Sequence, residues 1–378
     1  MEFLQHTFEK HPDCTVQVSV FRPVQGNGSQ YHLIFRFQDP GKKDPRTNRP
    51  DPLTALHDCV EEWFMRDPYR DTECVFARYF MKDASTQRSH IRARELYPIT
   101  CGVSFIEQPP ANGSEIALWL YVRDKSCEDG KYTHLWITEK FCLAGDVTQQ
   151  TRKLLTDYQQ WLQAKGCHMA DHCVRTWFFI RDIDVNYAAF AKSRTEYFSQ
   201  IGMDENTHYI ASTGIEGSNG VPSSYVTMDA YAIAGLEPSN IKFLYGFSHL
   251  SPTNMYGVTF ERGVSLQFED HDQILISGTA SIDKSGNVLH MDNIHDQTLR
   301  MWENVEVLLE EAEATFEDVA QIIVYLRRQE DYEPVSNLFQ SRFPAIPTVI
   351  VMGKVCRPAW LIEMECIALR SKKPAKSH

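Results

Sequence analysis

Two glutamates lie in an otherwise apolar stretch near the end of the chain. Residues 361–368 (LIEMECIA) have the length and the apolar content of a strand. Because side chains alternate across a strand, Glu363 and Glu365 share one face of it. A carboxyl group held away from water has a raised pKa and can act as a general acid. The alternative is that Glu363 only faces solvent, and the strand by itself leaves both readings open.

A second group of side chains has the elements of a metal site. Residues 167–173 (CHMADHC) hold two cysteines and two histidines. Zinc ligands usually come as two separated pairs, and in a repeat described below Ala314 and Ala320 replace the two cysteines. We therefore expect an ordinary helix-to-strand turn and no metal. No glycine-rich phosphate loop is followed by a helical pattern either, so we expect no cofactor.

A pattern of amphipathic helix, strand, second helix and two closing strands occurs three times. In the clearest copy, the apolar residues from Thr298 to Ala312 follow the spacing of one helix face. This copy continues with a strand over 318–326, a helix over 333–342 and closing strands over 348–352 and 361–368. Such repeats decide the fold and are sought before other patterns.

The other two copies follow the same order with few identical residues. The middle copy has a helix from Gln150, a strand over 171–180, a helix over 186–201 and a closing strand over 226–232. The fainter first copy has a helix over 53–66, a strand over 74–80 and a closing pair over 100–108 and 115–122. The periodic pattern carries the comparison between the copies.

Three such units can bury their sheets against each other. A sheet with two helices on one face leaves the other face bare, and three bare faces can meet as in a trimer. The sequence therefore predicts an α+β fold, internally repeated as a pseudo-trimer. The predicted units cover residues 1–125, 126–238 and 239–370, followed by a disordered tail, 371–378. Thr227 and Ala117 match Glu363 in the other copies, as expected if one cleft of three keeps an active site.

The composition excludes several classes of protein. The chain has 378 residues, 43% of them hydrophobic, and a formal net charge of −12. Nucleic acid binding needs clustered positive charge. The N-terminus lacks the basic and apolar regions of a signal peptide, and no apolar run approaches the about 20 residues of a membrane span. The ten cysteines have no framework spacing. We expect a cytoplasmic protein with reduced thiols and no nucleic acid or membrane partner.

The C-terminal unit resembles the YjgF/RidA superfamily, whose units have a chorismate-mutase-like fold. The resemblance is carried by residues 275–282 (LISGTASI), the helix at Gln297, the strand at Asp318 and the ending at 362–365 (IEME). Within that superfamily the longer chain looks like the chorismatases, the chorismate hydrolases. The motifs are 174–177 (VRTW), Tyr187 with Phe190 and Arg194, 212–215 (STGI), 277–282 (SGTASI) and 355–358 (VCRP), with 76–80 (FARYF) and 108–110 (QPP) upstream.

Two positions depart from these families. RidA imine hydrolases hold the substrate carboxylate with an arginine at a position that corresponds to about Thr348, which argues against simple imine deamination. Chorismatases carry a Tyr/Arg-rich run before a Tyr-Gly pair. Here that run is 247–252 (FSHLSP), which lacks the arginine, although Tyr256 and Gly257 remain. The second departure leaves the identity of the substrate open.

The resemblance implies hydrolysis of the enolpyruvyl ether of chorismate. Protonation of the vinyl carbon gives an oxocarbenium ion that water captures, and the hemiketal releases pyruvate and a dihydroxycyclohexadiene carboxylate or hydroxybenzoate. Glu363 is the expected acid. A dianionic substrate needs cationic or amide anchors. The candidates are Arg262, Arg194, Arg175, Arg357, Tyr256, Cys356 and the backbone around Thr213, Gly214, Gly278 and Thr279, although each arginine also fits a surface or ion-pair role.

Two other functions stay open at this point. One is a RidA-like hydrolase of another small imine or carbonyl compound, and the other is a non-catalytic module that binds a small ligand. In every case the expected partner is a small, anionic molecule. An internal pseudo-trimer satisfies its own inter-unit faces, so we expect a monomer or a small homo-oligomer.

Overall fold

A computed structural model of the chain describes residues 1–24, 28–38, 51–92, 101–127 and 130–372. These residues form three sheets with helices between the strands. Of the predicted tail, residues 373–378 lie outside the described residues, and Ser371 ends a strand. No helix in the described ranges is long and apolar enough to cross a membrane.

The N-terminal unit is a six-stranded sheet with two helices. Its elements in chain order are β1 (Glu2–Thr7), β2 (Cys14–Phe21), β3 (Gln30–Phe37), α1 (Pro52–Phe64), β4 (Thr72–Met81), α2 (Ala84–Arg92), β5 (Gly102–Glu107) and β6 (Ile116–Asp124). The order across the sheet is β1-β2-β3-β6-β4-β5. Only β4 and β5 pair in parallel, and helix α2 between them completes the pattern of the first copy.

The middle unit is a four-stranded sheet. Its elements are β7 (Thr133–Phe141), α3 (Val147–Gln163), α4 (Met169–His172), β8 (Cys173–Ile180), α5 (Ile183–Gln200), β9 (Ala211–Glu216) and β10 (Val226–Ala234). The order across the sheet is β7-β10-β8-β9. The predicted strand over 171–180 begins only at Cys173, because the one-turn helix α4 precedes it. Strand β9 is polar and contains a glycine, so only its parallel pairing with β8 reveals it.

The C-terminal unit repeats the first arrangement. Its elements are β11 (Ile241–Leu244), β12 (Gly263–Gln267), β13 (His271–Ala280), α6 (Ile294–Glu311), β14 (Val319–Leu326), α7 (Tyr332–Arg342), β15 (Thr348–Met352) and β16 (Ile362–Ser371). The order across the sheet is β11-β12-β13-β16-β14-β15, with β14 and β15 parallel. Helix α6 shows how these helices are specified. At the start of α6 the Asn293 side chain accepts a hydrogen bond from the backbone amide of Asp296. Met301, Val305 and Leu308 form the buried apolar face of the helix.

The three sheets share one topology. The four strands of the middle sheet have counterparts in the same order in the other two sheets, which each add two strands at one edge. The registers agree as well. Ala117, Thr227 and Glu363 each pair with the next-to-last residue of the neighbouring central strand, at Phe80, Phe179 and Tyr325. The predicted α+β pseudo-trimer is confirmed, and the predicted equivalence of these three positions follows from the pairing.

The bare sheet faces pack against each other, as the repeat requires. The ring of Phe76 in the N-terminal unit lies 4.9 Å from that of Trp136 and 6.2 Å from that of Trp177 in the middle unit. The indole of Trp177 in turn donates a 2.8 Å hydrogen bond to Glu365 in the C-terminal unit. The three sheets are therefore joined by contacts between residues that are distant in sequence.

Candidate active site

Glu363 occupies a buried position on β16. It pairs with Ala280 on one side and with Tyr325 on the other, and it is only 6% exposed. Its carboxyl group lies directly over Gly278, where an added Cβ would be 2.1 Å from Oε1. Only a glycine leaves room at that position for the carboxyl group. The solvent-facing alternative for Glu363 is therefore wrong.

The surroundings of Glu363 keep its carboxyl group protonated near neutral pH. Burial and the negative charge of Glu365 raise the pKa of Glu363 to about 8, although Arg175 and Arg262 act in the opposite direction. Removal from water disfavours the charged form of a carboxyl group. A carboxylic acid with a pKa near the working pH is suited to deliver a proton.

A cavity lies in front of Glu363, between the middle and C-terminal units. The empty space in it, counted together with its opening to solvent, is about 540 Å³. The residues that line it are Tyr187, Arg194, Ser212, Gly214, Val258, Phe260, Arg262, Gly278, Ala280, Ile282, Cys356, Arg357, Trp360 and Glu363. Helix α5 and strand β9 supply the middle-unit wall, and β13, β16 and three loop segments supply the other.

Three arginines line this cavity. Arg194 on α5 is 2% exposed, and its Nε and Nη2 have no hydrogen-bond partner among the described residues. Arg262 donates a 3.3 Å hydrogen bond to the Ser251 carbonyl, and Arg357 donates a 3.1 Å hydrogen bond to the Gly286 carbonyl. Because a buried guanidinium group with unmet donors is costly, Arg194 is suited to hold an anion that enters the cavity.

Tyr187 and Cys356 form a polar contact on the cavity wall. Burial raises the pKa of Tyr187 well above its ordinary value. Burial and the charge of Glu363 also raise the pKa of Cys356, to about 12. Both groups therefore keep their protons, and Cys356 lines the cavity as a thiol rather than a thiolate nucleophile. The position of Tyr187 was predictable in part, because it lies two helical turns from Arg194 on the same face of α5.

Glu365 belongs to a different arrangement on the inner side of the sheets. It accepts hydrogen bonds from Arg175 Nη2 at 2.7 Å, from Trp177 Nε1 at 2.8 Å and from the Thr213 hydroxyl. Arg78 of the N-terminal unit lies 3.8 Å from it. These donors compensate a buried carboxylate. The two glutamates thus differ in their surroundings, and only Glu363 faces the cavity.

Arg175, Thr213 and Thr279, which the sequence also offers as substrate anchors, are not among the residues that line the cavity. Arg175 and Thr213 are engaged by Glu365, and Thr213 also accepts the Gly278 amide at 2.9 Å. The Thr279 hydroxyl donates to the Ser277 carbonyl. The Gly278 amide is therefore already satisfied by protein. The cavity does bring together the predicted Arg194, Arg262, Arg357, Gly214, Gly278, Cys356 and Glu363, and the side chain of Tyr256 lies outside the described part of the structure.

The equivalent cleft between the N-terminal and middle units also contains a buried carboxyl group, but a different strand supplies it. In β7 the register places Glu139 at the position of Gly278, while Thr227 stands at the position of Glu363. The Glu139 carboxylate lies 2.7 Å from Arg92 and 3.2 Å from Arg88 on α2. Glu139 is therefore paired with two arginines, although burial outweighs them and raises its pKa to about 7. Glu363 instead faces a cavity.

The cysteine and histidine stretch at 167–173 is spread over a turn and two elements. Cys173 begins β8, and its Sγ lies 3.5 Å from the buried Tyr158 hydroxyl. The backbone amide of His168 donates to His172 Nδ1 at 3.1 Å. No group of three or more His, Cys, Asp or Glu side chains with metal-site geometry occurs in the described ranges. The absence of a metal remains a prediction.

Comparisons with known proteins assign the C-terminal unit. The profile of the family described as Endoribonuclease L-PSP matches residues 264–370. A RutC family protein of Pyrococcus abyssi is 32% identical over 99 residues, which cover 26% of this chain and 78% of that protein. The chain belongs to the RutC family. Another RutC family protein, of Saccharolobus solfataricus, is 31% identical over 102 residues, which cover 26% of this chain and 81% of that protein.

The fold of the whole chain has a counterpart beyond the RutC match. A crystal structure of chorismatase superimposes on 93% of this chain and 99% of its own, with a TM-score of 0.62 and 17% sequence identity. At that identity the likeness concerns the fold. The Endoribonuclease L-PSP match, residues 264–370, includes Glu363. The chorismatase likeness covers 93% of the chain and so extends to the middle unit, which supplies Tyr187 and Arg194.

Proposed function

We propose that the protein is an enzyme that hydrolyses the enolpyruvyl ether of chorismate. The observation that carries the proposal is a buried carboxyl group, Glu363, facing a cavity that Arg194 also lines. Two of the three guanidinium nitrogens of Arg194 have no hydrogen-bond partner among the described residues. An enol ether is cleaved when its terminal vinyl carbon receives a proton, and the substrate has two carboxylates. The site offers one acid and several cations. The fold shared with chorismatase supports the same reaction class.

The chemistry follows from the positions of these groups. Glu363 transfers its proton to the vinyl carbon, and the resulting carboxylate stabilises the oxocarbenium ion and takes a proton from the attacking water. The hemiketal then collapses as its bond to the ring oxygen breaks and that oxygen is protonated. The products are pyruvate and a dihydroxycyclohexadiene carboxylate, or the hydroxybenzoate that results from its dehydration.

Arg262 lies next to the segment 247–252, in which this chain lacks the arginine of the chorismatases. Arg262 donates its hydrogen bond to Ser251, within that segment, so its guanidinium group lies beside the position where the family's arginine is missing. We propose that Arg262 and Arg194 hold the two carboxylates of the substrate.

A RidA-like hydrolysis of a small imine is the second candidate, because the sequence identity is with RutC family proteins. The residue at the position of the RidA arginine, about Thr348, argues against imine hydrolysis. Thr348 is 6% exposed, and its carbonyl accepts a hydrogen bond from Arg36 of the N-terminal unit, away from the residues of the cavity. The Glu363 cavity therefore favours the enol ether.

One experiment separates these functions. The purified chain is incubated with chorismate, pyruvate is followed with a coupled lactate dehydrogenase assay, and the ring product is identified by chromatography. Glu363→Gln should lose pyruvate release. Glu139→Gln, a matched buried carboxylate in the neighbouring cleft, should keep it. No pyruvate from the parent chain, together with ammonia release from an imine substrate, would favour the second candidate, and binding without turnover would favour a ligand-binding module.

The packing of the three units and the state of the cysteines bear on the assembly and the compartment of the protein. The bare faces of all three sheets are already covered within one chain, so we propose that the active protein is a monomer. No disulfide joins any of the ten cysteines in the described part of the chain, which favours a reducing compartment such as the cytoplasm. Light scattering during size-exclusion chromatography tests the first proposal, and localisation of a tagged chain tests the second.

A further inference from the structure

Two cysteines of the N-terminal unit lie in contact. Cys74 is on β4, and Cys101 immediately precedes β5, the parallel neighbour of β4. Their sulfur atoms are 3.2 Å apart. Cys74 is buried, and Cys101 is partly exposed. This pair lies away from the cavity of Glu363, and the proposed reaction makes no use of it.

The geometry suits a covalent bond between the two sulfur atoms. A disulfide has an S–S length of about 2.05 Å and Cα atoms about 4.4–6.8 Å apart. Strands β4 and β5 are adjacent, and adjacent strands lie about 4.8 Å apart. Their pairing sets Gly102 opposite Phe76, so Cys101 is one residue out of register with Cys74. The contact between the two sulfur atoms shows that the side chains bridge this offset. Closing the remaining gap of about 1.2 Å takes a small rotation of the two side chains. A second pair in contact, Cys14 and Cys59, is buried on both sides and offers no exposed thiol.

We propose that Cys74 and Cys101 form a reversible disulfide with a low-molecular-weight disulfide as the oxidant. The thiolate of Cys101 attacks one sulfur of the small disulfide and releases one thiol. The Cys74 sulfur then loses its proton to solvent, attacks the Cys101 sulfur and releases the second thiol. Two electrons pass from the cysteine pair to the small disulfide, and an excess of thiol reverses both steps.

The order of attack follows from exposure. Only Cys101 is accessible to a small disulfide in solution, whereas burial raises the pKa of Cys74 well above its ordinary value. Cys74 is therefore slow as a first nucleophile. Once Cys101 carries the mixed disulfide, the contact between the two sulfur atoms makes the second step intramolecular, and proximity compensates for the weak acidity of Cys74.

The bond would form next to a junction between two units. Gly102, which follows Cys101, packs closely on β7 of the middle unit, because a Cβ on Gly102 would lie 2.9 Å from Thr138 Cγ2. Thr138 precedes Glu139 in the irregular part of β7. The cross-link would therefore lie beside the contact between the first residue of β5 and the middle unit.

The test uses the full chain, first reduced and then equilibrated with glutathione buffers of increasing oxidised fraction. Free thiols are blocked with an alkylating agent, and the digest is mapped by mass spectrometry without reduction. We expect one cross-linked peptide pair that joins Cys74 to Cys101, lost again on addition of dithiothreitol. In Cys74→Ser, the Cys101 thiol should instead keep a stable glutathione adduct, because the resolving thiol is missing.

The controls fix what would overturn the proposal. Cys142→Ser removes another partly exposed thiol, which contacts a carbonyl oxygen rather than a second thiol, and it should leave the cross-link unchanged. A glutathione adduct on Cys101 of the parent chain with Cys74 still open to alkylation after unfolding would refute it. So would a cross-link that joins either residue to a different cysteine. Mapping of the unmodified chain decides the matter even if a serine variant fails to fold.

Discussion

Replacement of the Glu363 carboxyl group by an amide should stabilise the folded chain increasingly as pH rises. In the folded protein the pKa of Glu363 is about 8, against an ordinary value of 4.5, because of burial and the charge of Glu365. Between these pH values the folded chain keeps a proton that the unfolded chain has lost. By linkage, the free energy of unfolding falls as pH rises through this interval.

The magnitude follows from the interval. At about 1.36 kcal/mol per pH unit, the range from 4.5 to 8 corresponds to about 5 kcal/mol. This destabilisation is absent below about pH 4.5, reaches about 3 kcal/mol at pH 7 and is complete only above pH 8. Glu363 is buried, so solvent screening reduces the figure little. The parent chain is therefore most stable, relative to Glu363→Gln, at acidic pH.

Urea unfolding of the parent chain and of Glu363→Gln at about pH 5, pH 7 and pH 8.5 measures this. The difference in free energy of unfolding should grow by about 4 kcal/mol from the lowest to the highest pH, in favour of the variant. Glu139→Gln is the comparison, because burial raises the pKa of Glu139 to about 7. The difference in free energy of unfolding between the parent chain and this variant should therefore stop growing near pH 7. A difference between parent and Glu363→Gln that stays constant within about 1 kcal/mol would refute the reasoning.

Four further predictions concern the site and the turn. Gly278→Ala places a Cβ 2.1 Å from Glu363 Oε1 and should lower kcat by about 10²–10⁴-fold in steady-state assays, while circular dichroism shows a folded chain. Arg194→Gln removes a charged anchor worth about 1.5–3 kcal/mol, so KM should rise by about 10–150-fold with a smaller change in kcat. The pH–rate profile should fall as pH rises through about 8, because Glu363 must be protonated to act; a flat profile to pH 9.5 would exclude Glu363 as the acid. Elemental analysis should find no stoichiometric zinc, and zinc lost in Cys167→Ser with Cys173→Ser would contradict the expected metal-free turn.

The repeat and its strongest elements were predictable because their signals are local. The apolar face of α6 and the β-branched run of β14 each depend on residues a few positions apart, and both form as expected. Strand β9 escaped prediction because its polar residues and Gly214 carry no strand pattern, and its parallel pairing with β8 holds it in place. The short helix α4 was missed for a similar reason, since one turn gives too little periodicity.

The candidate site, like the fold, was predictable from the sequence only in part. A carboxylate in an apolar strand is visible in the sequence, and so is its replacement by Thr227 and Ala117 in the other copies. The sequence did not distinguish Arg194, which lines the cavity, from Arg175, which is held by Glu365. Both are arginines within strong structural elements, and only the packing of one sheet on another decides which of them faces the cavity.

The sequence by itself determined the α+β class, the threefold repeat and the one carboxylate out of three, because periodicity and residue type are properties of neighbouring residues. The tertiary structure decided which side of β16 borders a cavity and that Gly278 makes room for Glu363. It also decided that Glu139 supplies the carboxyl group in the cleft between the N-terminal and middle units. Each of these depends on a distance between residues far apart in the chain. Strand register fixes such distances, and a shift of one residue in a strand would turn its side chains to the opposite face.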